Sequence, residues 1–328
     1  MQDTSATKPS PLNVSVEAVL RLLRNQVISM LLILILIWIV LALLSPYFFT
    51  VTNLFEITLQ SAVFAIIAAG ETFVIFSGGI DLSVGSVFAL SAIIGGIFFR
   101  STGSVLIAAL TSLATGMVAG ITNGLFISRL KVPPFVATLG MMGVARGLAL
   151  IAVNGIPIYG LSKAYMWIGQ GRVAGIIPVP TIIMVVIFVI AYLVLNYTRF
   201  GRFTYAIGSN SESARLSGVN VAAVTLSIYA VAGALSALAG IIESARLGTV
   251  QPAGGDGYEL LAIGAVVIGG TSLFGGEGNI IGTLIGALLV TTIRNGLNIL
   301  GVYAFWQYVV NGLIIISAVA VDQLRRRR

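Results

Sequence analysis

The residues that could do chemistry in this chain are a few ionisable side chains that interrupt long apolar runs. Glu71, Arg146 and Arg294 each lie within such a run. An ionised side chain costs about 2.5 to 3.5 kcal/mol at the centre of a membrane helix on insertion scales, so such residues usually face a cavity or a partner. An ion pair buried only for structure is the alternative. The interior polar residues predicted on this basis are Glu71, Arg294, Asn295 and Asn298.

Asp81 allows two interpretations because it lies in a glycine-rich break between two apolar runs. Unwound backbone around Gly78 and Gly79, together with an acid, could bind a polar solute on a transport pathway. Asp81 followed by Ser83 before an apolar helix is also typical of a helix start, where side-chain oxygens cap the first amide groups. The spacing favours the cap, and the pathway stays open as the second interpretation.

Whole classes of chemistry are excluded because cysteine and histidine are both absent from the 328 residues. Disulfides, thiolate or imidazole metal sites, cysteine nucleophiles and histidine bases all require one of them. The three lysines are followed by Pro9, Val132 and Ala164, so no phosphate-binding loop of the G-x-x-x-x-G-K-[ST] type exists. The sequence therefore predicts no enzyme, no metal and no cofactor in this chain, and another chain must hydrolyse any ATP that is used.

The composition requires a membrane environment. Hydrophobic residues make up 58% of the chain and charged residues 9%, against about 25% charged in soluble domains. At about 20 residues per spanning helix, the chain has room for roughly ten spans. The predicted fold is an all-α polytopic membrane bundle, with a transmembrane domain over 26–323 between an N-terminal tail (1–25) and a basic tail (324–328). The predicted spans are 26–49, 57–77, 83–99, 105–128, 135–153, 180–197, 221–244, 258–270, 279–300 and 304–321.

The basic residues predict the orientation. An even number of spans puts both termini on one side, and that side then collects twelve lysines and arginines against four on the other. Cytoplasmic loops carry this excess, so both termini are expected in the cytoplasm. The net charge of +7 then reflects topology, and no nucleic-acid partner is expected.

Glycine patterns bear on the architecture. The pattern G-G-x-x-L occurs at 78–82 and again at 269–273, each time before a helix rich in small residues. This recurrence indicates either a parallel internal repeat, as transporter folds often have, or chance among 38 glycines. Glycines spaced by four let helix backbones approach closely, in static packing or at a moving interface. The positions are Gly116, Gly120, Gly124, Gly278, Gly282 and Gly286.

The longest polar segment between spans is 198–220, which we call the coupling segment. Ser209 or Asn210 can cap a short helix there, with Glu212 in its first turn and Gly218 at its end. A short amphipathic helix at the cytoplasmic face can dock onto a partner protein or rest on lipid headgroups. The residues alone leave both interpretations open.

Several long motifs in a fixed order make the chain recognisable from about Leu44 to the C-terminus. It resembles the membrane permeases of bacterial ABC importers for monosaccharides. The motifs are SGGIDLSVGS at 77–86, KVPPFVATLGMM at 131–142, YAIGSNSESARLSGVNV at 205–221, AGIIESARL at 239–247 and GYELLAIGAVVIGGTSLFGGEGNIIGTLIGALL at 257–289.

The resemblance implies a permease subunit of the inner membrane that works by alternating access. Two copies, expected as a homodimer, would form the pore in the lipid bilayer. A cytoplasmic ATPase that binds ATP and Mg would power it, and a periplasmic binding protein would deliver the sugar, for which ribose is expected. The alternatives are an ion- or proton-coupled secondary transporter, or the same role for another pentose, a hexose or autoinducer-2.

The resemblance also implies that the coupling segment seats in the ATPase. The matching stretch begins at Ala206, and five of its positions match the family pattern: Gly208, Asn210, Ala214, Ser217 and Gly218. The capped helix adds the carboxylate of Glu212 and the guanidinium of Arg215.

Overall fold

A computed structural model describes residues 26–326, so the predicted N-terminal tail and the last two arginines lie outside the described residues. Besides helices and the irregular segments that join them, the described residues form a two-stranded antiparallel hairpin, β1 (Arg172–Val173) and β2 (Ile177–Pro178), and one isolated bridge between Ile158 and Val250. The helices are α1 (Gln26–Leu44), α2 (Val51–Phe76), α3 (Val84–Thr102), α4 (Val105–Ser128), α5 (Pro134–Ala152), α6 (Lys163–Gln170), α7 (Val179–Tyr197), α8 (Arg199–Ser209), α9 (Ser211–Leu216), α10 (Val221–Leu247), α11 (Tyr258–Ile268), α12 (Ile280–Ile299) and α13 (Ala304–Arg326).

Each of the ten predicted spans coincides with a helix, which confirms the all-α polytopic fold. Eight helices of the described range are long and apolar enough to cross a membrane, namely α1 to α5, α7, α10 and α12. The 23 residues of α13 extend about 34 Å, more than the roughly 30 Å of a bilayer core. The largest boundary error is at α2, which begins six residues before the predicted start. Its N-cap is Thr50, whose hydroxyl accepts from the amide of Asn53 at 3.4 Å.

The core is built around α2. Every residue of α2 from Ser61 to Phe76 is buried, which includes the ionisable Glu71. The surface, in contrast, exposes many large apolar side chains, such as Leu36 and Leu43 of α1. A continuous apolar surface of this kind fits contact with lipid rather than water.

The glycines spaced by four lie where helix backbones touch. A methyl group at Gly120 would overlap the carbonyl oxygen of Tyr229 on α10, and one at Gly286 would overlap that of Ala265 on α11. Gly278 differs because it lies outside α12, at a backbone φ of +154° that disfavours other residues. The glycines that bring helices together are Gly116, Gly120 and Gly124 on α4, and Gly282 and Gly286 on α12.

The short helix α11 does not cross the bundle alone. Residues 248–257, which we call the outer segment, run back from the end of α10 along α3, with contacts first at Gly96 and then at Gly85. These positions are 11 residues apart, about 16 Å along a helix. The ring of Tyr258 then lies 4.6 Å from that of Phe64, near the middle of α2. An irregular segment and a half-length helix therefore complete this crossing, which transporter folds allow where protein surrounds the backbone.

Candidate functional site

The coupling segment folds into two short helices. Thr198 caps α8, and the side-chain oxygen of Asn210 caps α9 by accepting from the amide of Ser213 at 2.8 Å. Of the two predicted caps, Asn210 is the one used, since Ser209 is the last residue of α8. Gly218 ends the segment at a φ of +86°, where a side chain would be strained. The helix α8 was not predicted.

An exposed ion pair lies on α9. Arg215 Nε donates to Glu212 Oε2 at 3.0 Å, and both side chains are more than half exposed. The hydrogen bonds from Arg215 hold the pKa of Glu212 below its ordinary value. Exposed pairs of this kind contribute little to stability. The pair therefore serves mainly to present two charges of fixed geometry to whatever meets this surface.

Three glycine-rich segments meet at Gly208 of the coupling segment. We call this contact the inner junction and name residues 77–83, between α2 and α3, the inner segment. A methyl group at Gly208 would overlap the carbonyl of Phe76 and the amide nitrogen of Gly276, and that amide donates to Phe76 O at 3.0 Å. Gly275 lies against the backbone of Gly78. Gly78 of the first glycine-rich break and residues 274–276, which follow the second G-G-x-x-L pattern, thus lie side by side next to Gly208. The internal repeat itself stays a prediction.

Tyr205 contacts residues on two sides of the inner junction. Its ring centroid lies 4.7 Å from that of Phe76, and its hydroxyl donates to the carbonyl of Gly278 at 3.4 Å. Burial raises the pKa of Tyr205 to about 12, so the hydroxyl stays protonated and able to donate. Sequence reasoning missed Tyr205, although it opens the third of the long motifs.

Behind the inner segment lies a buried polar group that we call the inner polar cluster: Glu71, Asp81, Ser83, Asn123 and Tyr229. Glu71 Oε1 accepts from the amide of Asp81 at 3.0 Å. Asp81 Oδ1 accepts from the amide of Ser83 at 2.8 Å and from its hydroxyl at 2.6 Å. Asn123 Nδ2 donates to Ser83 Oγ at 2.9 Å.

The cap predicted for the start of α3 is not formed. Ser83 is the N-cap residue but makes no side-chain hydrogen bond to the first turn. Its hydroxyl donates to Asp81 instead, so the carboxylate holds the inner segment rather than the helix end. Sequence reasoning placed Glu71 in the interior, but it did not connect Glu71 with Asp81.

Arg146 on α5 reaches the outer segment. Its Nη1 donates to the carbonyl of Pro252 at 3.1 Å and to that of Gly254 at 2.7 Å. Two carbonyls that no helix or sheet satisfies thereby receive a charged donor. The arginine was expected in the interior, and its role is to hold an irregular backbone.

The remaining predicted interior residues form a separate group on α12. The guanidinium of Arg294 lies 5.0 Å from the ring centre of Phe64. Asn295 Nδ2 donates to Asn53 Oδ1 at 2.8 Å, and Asn298 Oδ1 accepts from a glutamine of α13 at 2.7 Å. The structure therefore divides the predicted pathway residues between the inner polar cluster and this face of α12.

A cavity of about 140 Å³ connects the inner polar cluster with the coupling segment. Gly79 of the inner segment and Tyr229 of α10 line one side of it, and Ile207 and Ser211 of the coupling segment line another. Tyr229 is therefore the residue of the inner polar cluster that borders this cavity.

Comparison with known proteins gives a family and several relatives. Residues 53–319 match the family described as the permease component of the branched-chain amino acid transport system. The chain is 45% identical to a ribose import permease of Escherichia coli K12 over 302 residues, which cover 91% of this chain and 94% of the relative. It is 48% identical to a ribose import permease of Bacillus subtilis strain 168 over 288 residues, or 87% and 89% of the two chains.

A more distant relative transports another sugar. The D-allose transport system permease of Escherichia coli K12 is 39% identical over 283 residues, which cover 86% of each chain. No solved structure matches.

Proposed function

The chain belongs to the permease family of the branched-chain amino acid transport system, and from this premise we propose that it is the membrane subunit of an ATP-binding-cassette importer for ribose. Relatives that import ribose are 45% and 48% identical to it, whereas those for D-allose and fructose are 39% and 38% identical. The chain carries no nucleotide-binding loop. It is therefore a transport subunit rather than an enzyme, with no cofactor of its own, and ATP and Mg bind to a partner ATPase.

The observation that carries the proposal is the contact of the coupling segment with both glycine breaks at Gly208. Backbone touches backbone there without an intervening side chain, and close-packed contacts transmit displacement rather than absorb it. A movement of α8 would therefore shift the end of α2 and the loop between α11 and α12 directly. This is the physical connection that ATP-driven alternating access needs between an ATPase and the helices around the pathway.

The surface of α9 fits a docking site for the ATPase. Leu216 is 74% exposed at the end of the helix, beside the exposed pair of Glu212 and Arg215. An apolar anchor next to charged residues is typical of a protein interface, where the anchor fills a pocket and the charges set the orientation. The same surface argues against a helix that only rests on lipid.

The remaining partners follow from the same role. We expect two copies of the permease, most simply a homodimer, to enclose the pathway in the inner membrane. Both termini and the coupling segment would face the cytoplasm, and a periplasmic binding protein would deliver the sugar to the opposite side. Ribose is neutral, so hydroxyl and amide groups suffice along its path and no charged residue is required. No nucleic-acid partner is expected.

The decisive experiment is reconstitution of the permease with its ATPase in lipid bilayers. We expect ATP hydrolysis to rise when a ribose-loaded binding protein is added, and labelled ribose to enter vesicles only with active ATPase. An ATPase variant that binds but cannot hydrolyse ATP is the control. Uptake that persists without the ATPase and collapses with an uncoupler would instead favour an ion-coupled secondary transporter. Stimulation by a binding protein loaded with another sugar would change only the substrate that we assign to the importer.

A further inference from the structure

The inner polar cluster contains two carboxylates without a positive partner. Glu71 is 0% and Asp81 2% exposed. The ion pairs of the described residues join Arg215 with Glu212, and Arg246 with Glu56 and Glu243, so within 26–326 neither cluster carboxylate is paired. Two negative charges buried this closely without a counter-charge are too costly for a stable fold. Something positive must therefore balance them.

Three oxygens of the cluster also lack hydrogen-bond partners, namely Glu71 Oε2, Asn123 Oδ1 and the hydroxyl of Tyr229. All three side chains are at least 99% buried. The Tyr229 hydroxyl lies against Gly79, two residues from Asp81, and within electrostatic reach of both carboxylates. Buried polar atoms are almost always satisfied in native proteins, so three unsatisfied oxygens in one cluster indicate a missing partner.

The orientation of the Asn123 amide follows from the network. Its nitrogen donates to Ser83 Oγ, and the Ser83 hydroxyl has already given its own proton to Asp81. If the amide were turned around, its oxygen would face a serine oxygen that has no proton to offer. Asn123 Oδ1 therefore points away from Ser83 as a free acceptor.

We propose that the inner polar cluster binds one monovalent cation of the sodium class. The cation balances one of the two negative charges, and the amide and hydroxyl of Ser83 stabilise the other on Asp81. Carboxylate, amide and hydroxyl oxygens are the ligands that hard cations prefer, and unwound backbone beside an acid holds sodium in transporter folds. A proton on Glu71 together with a water molecule is the alternative way to meet these oxygens, and the measurements below distinguish it from a bound ion.

The bound cation would link three helices behind the inner segment. Its ligands come from α2, α4 and α10, and Asp81 belongs to the segment that contacts the coupling segment through Gly78 and Gly275. The cavity lined by Tyr229 borders the cluster. The site is independent of the sugar that is carried and of the ATPase.

The test is equilibrium binding of radioactive sodium to the purified full-length chain in lipid nanodiscs, with displacement by unlabelled sodium. We expect saturable binding of one sodium ion per chain. Glu71→Gln and Asn123→Ala should each weaken it by about 10- to 100-fold, as loss of an ion ligand or its neighbour usually does. Ser112→Ala is the matched control, because Ser112 is also a fully buried, unpartnered polar residue of α4 and should leave binding unchanged.

A second measurement keeps the proposal testable if a variant fails to fold. Sodium chloride should raise the thermal midpoint of the wild-type chain in a concentration-dependent manner, while choline chloride at the same ionic strength should not. Absence of saturable sodium binding by the wild-type chain would overturn the proposal. So would a midpoint that responds to pH but not to sodium, because a proton on Glu71 would then balance the charges.

Discussion

The backbone of both the inner and the outer segment needs hydrogen-bond partners, and side chains of opposite charge supply them. Both are irregular stretches of backbone enclosed by the bundle, and both lie against the beginning of α3. In the inner segment, carboxylates accept hydrogen bonds from the backbone, through Glu71 and Asp81. In the outer segment, a guanidinium donates to the backbone, through Arg146. The first arrangement accumulates negative charge, and the second supplies positive charge.

The two segments also differ in the ion pairs that surround them. Near the outer segment two carboxylates are paired, since Arg246 lies 2.8 Å from Glu243 and 3.8 Å from Glu56, whereas Asp256 and Glu259 have no ion pair among the described residues. The inner carboxylates have no such pair among the described residues either. The comparison teaches that a positive side chain of this chain, Arg146, holds the outer segment, whereas the inner segment depends on the proposed cation and on the coupling segment that covers it.

Removal of the charge at Arg146 should have the largest effect. Arg146→Met leaves two enclosed carbonyls without a donor, at about 1–3 kcal/mol each, so we expect a loss of about 3 kcal/mol in the free energy of unfolding. Thermal and denaturant unfolding of the purified chain would measure it. Arg100→Met, at the exposed end of α3, should change stability by less than about 0.5 kcal/mol. Equal effects of the two substitutions would remove the role assigned to Arg146.

A methyl group at the inner junction should have the next largest effect. Gly208→Ala places its Cβ on the backbone of Phe76 and Gly276, and such overpacking costs about 1–3 kcal/mol. Gly140→Ala is the matched control, because nothing lies near that glycine and alanine gains up to about 1 kcal/mol in an open helix. The two substitutions should therefore change the thermal midpoint in opposite directions. A stabilised Gly208→Ala would show that the junction is looser than described.

Removal of a negative charge at the inner segment should not lower the stability of the chain, unlike removal of the positive charge at the outer segment. Glu71→Gln keeps an acceptor for the amide of Asp81 but removes one of two unpaired negative charges. Without sodium, we expect this variant to be at least as stable as the wild type, with a gain of no more than about 1 kcal/mol. Unfolding in sodium-free buffer would measure it. A loss as large as that of Arg146→Met would contradict the contrast between the two segments.

The smallest effect on stability is expected on the exposed face of the coupling segment. Because Arg215 lowers the pKa of Glu212, the pair contributes stability above the ordinary pKa of that carboxyl and loses it as the pH falls through the lowered value. Because both side chains are exposed, this contribution is small. Arg215→Gln should therefore hardly lower the thermal midpoint at neutral pH, while ATP hydrolysis uncouples from ribose uptake in the reconstituted importer. Lys163→Gln, outside the coupling segment, should preserve coupling. Normal coupling in Arg215→Gln would remove the docking assignment for α9.

Much of the fold could be predicted because the signals are local. Long apolar runs fixed all ten helices, and side-chain capping at Asn210 together with the conformational freedom of Gly218 predicted the short helix α9. The helix α8 was missed because its residues lack an apolar run and its stability depends on the surface beneath it. Asp81 and Ser83 were predicted to cap α3, but Ser83 makes no side-chain hydrogen bond to the first turn. Its hydroxyl donates to Asp81, whose carboxylate accepts from the Ser83 amide as well.

The sequence by itself determined the membrane class, the approximate positions of ten apolar helices and the absence of thiol and imidazole groups, since these depend on composition and on neighbours in the chain. Only the tertiary structure decided that Gly78, Gly208 and Gly275 meet, that Glu71 joins Asp81 and Asn123, and that Arg146 holds the outer segment. Such contacts join residues up to about two hundred positions apart. They depend on how helices pack, and close approach of backbones leaves no periodic signal in the residues that make it.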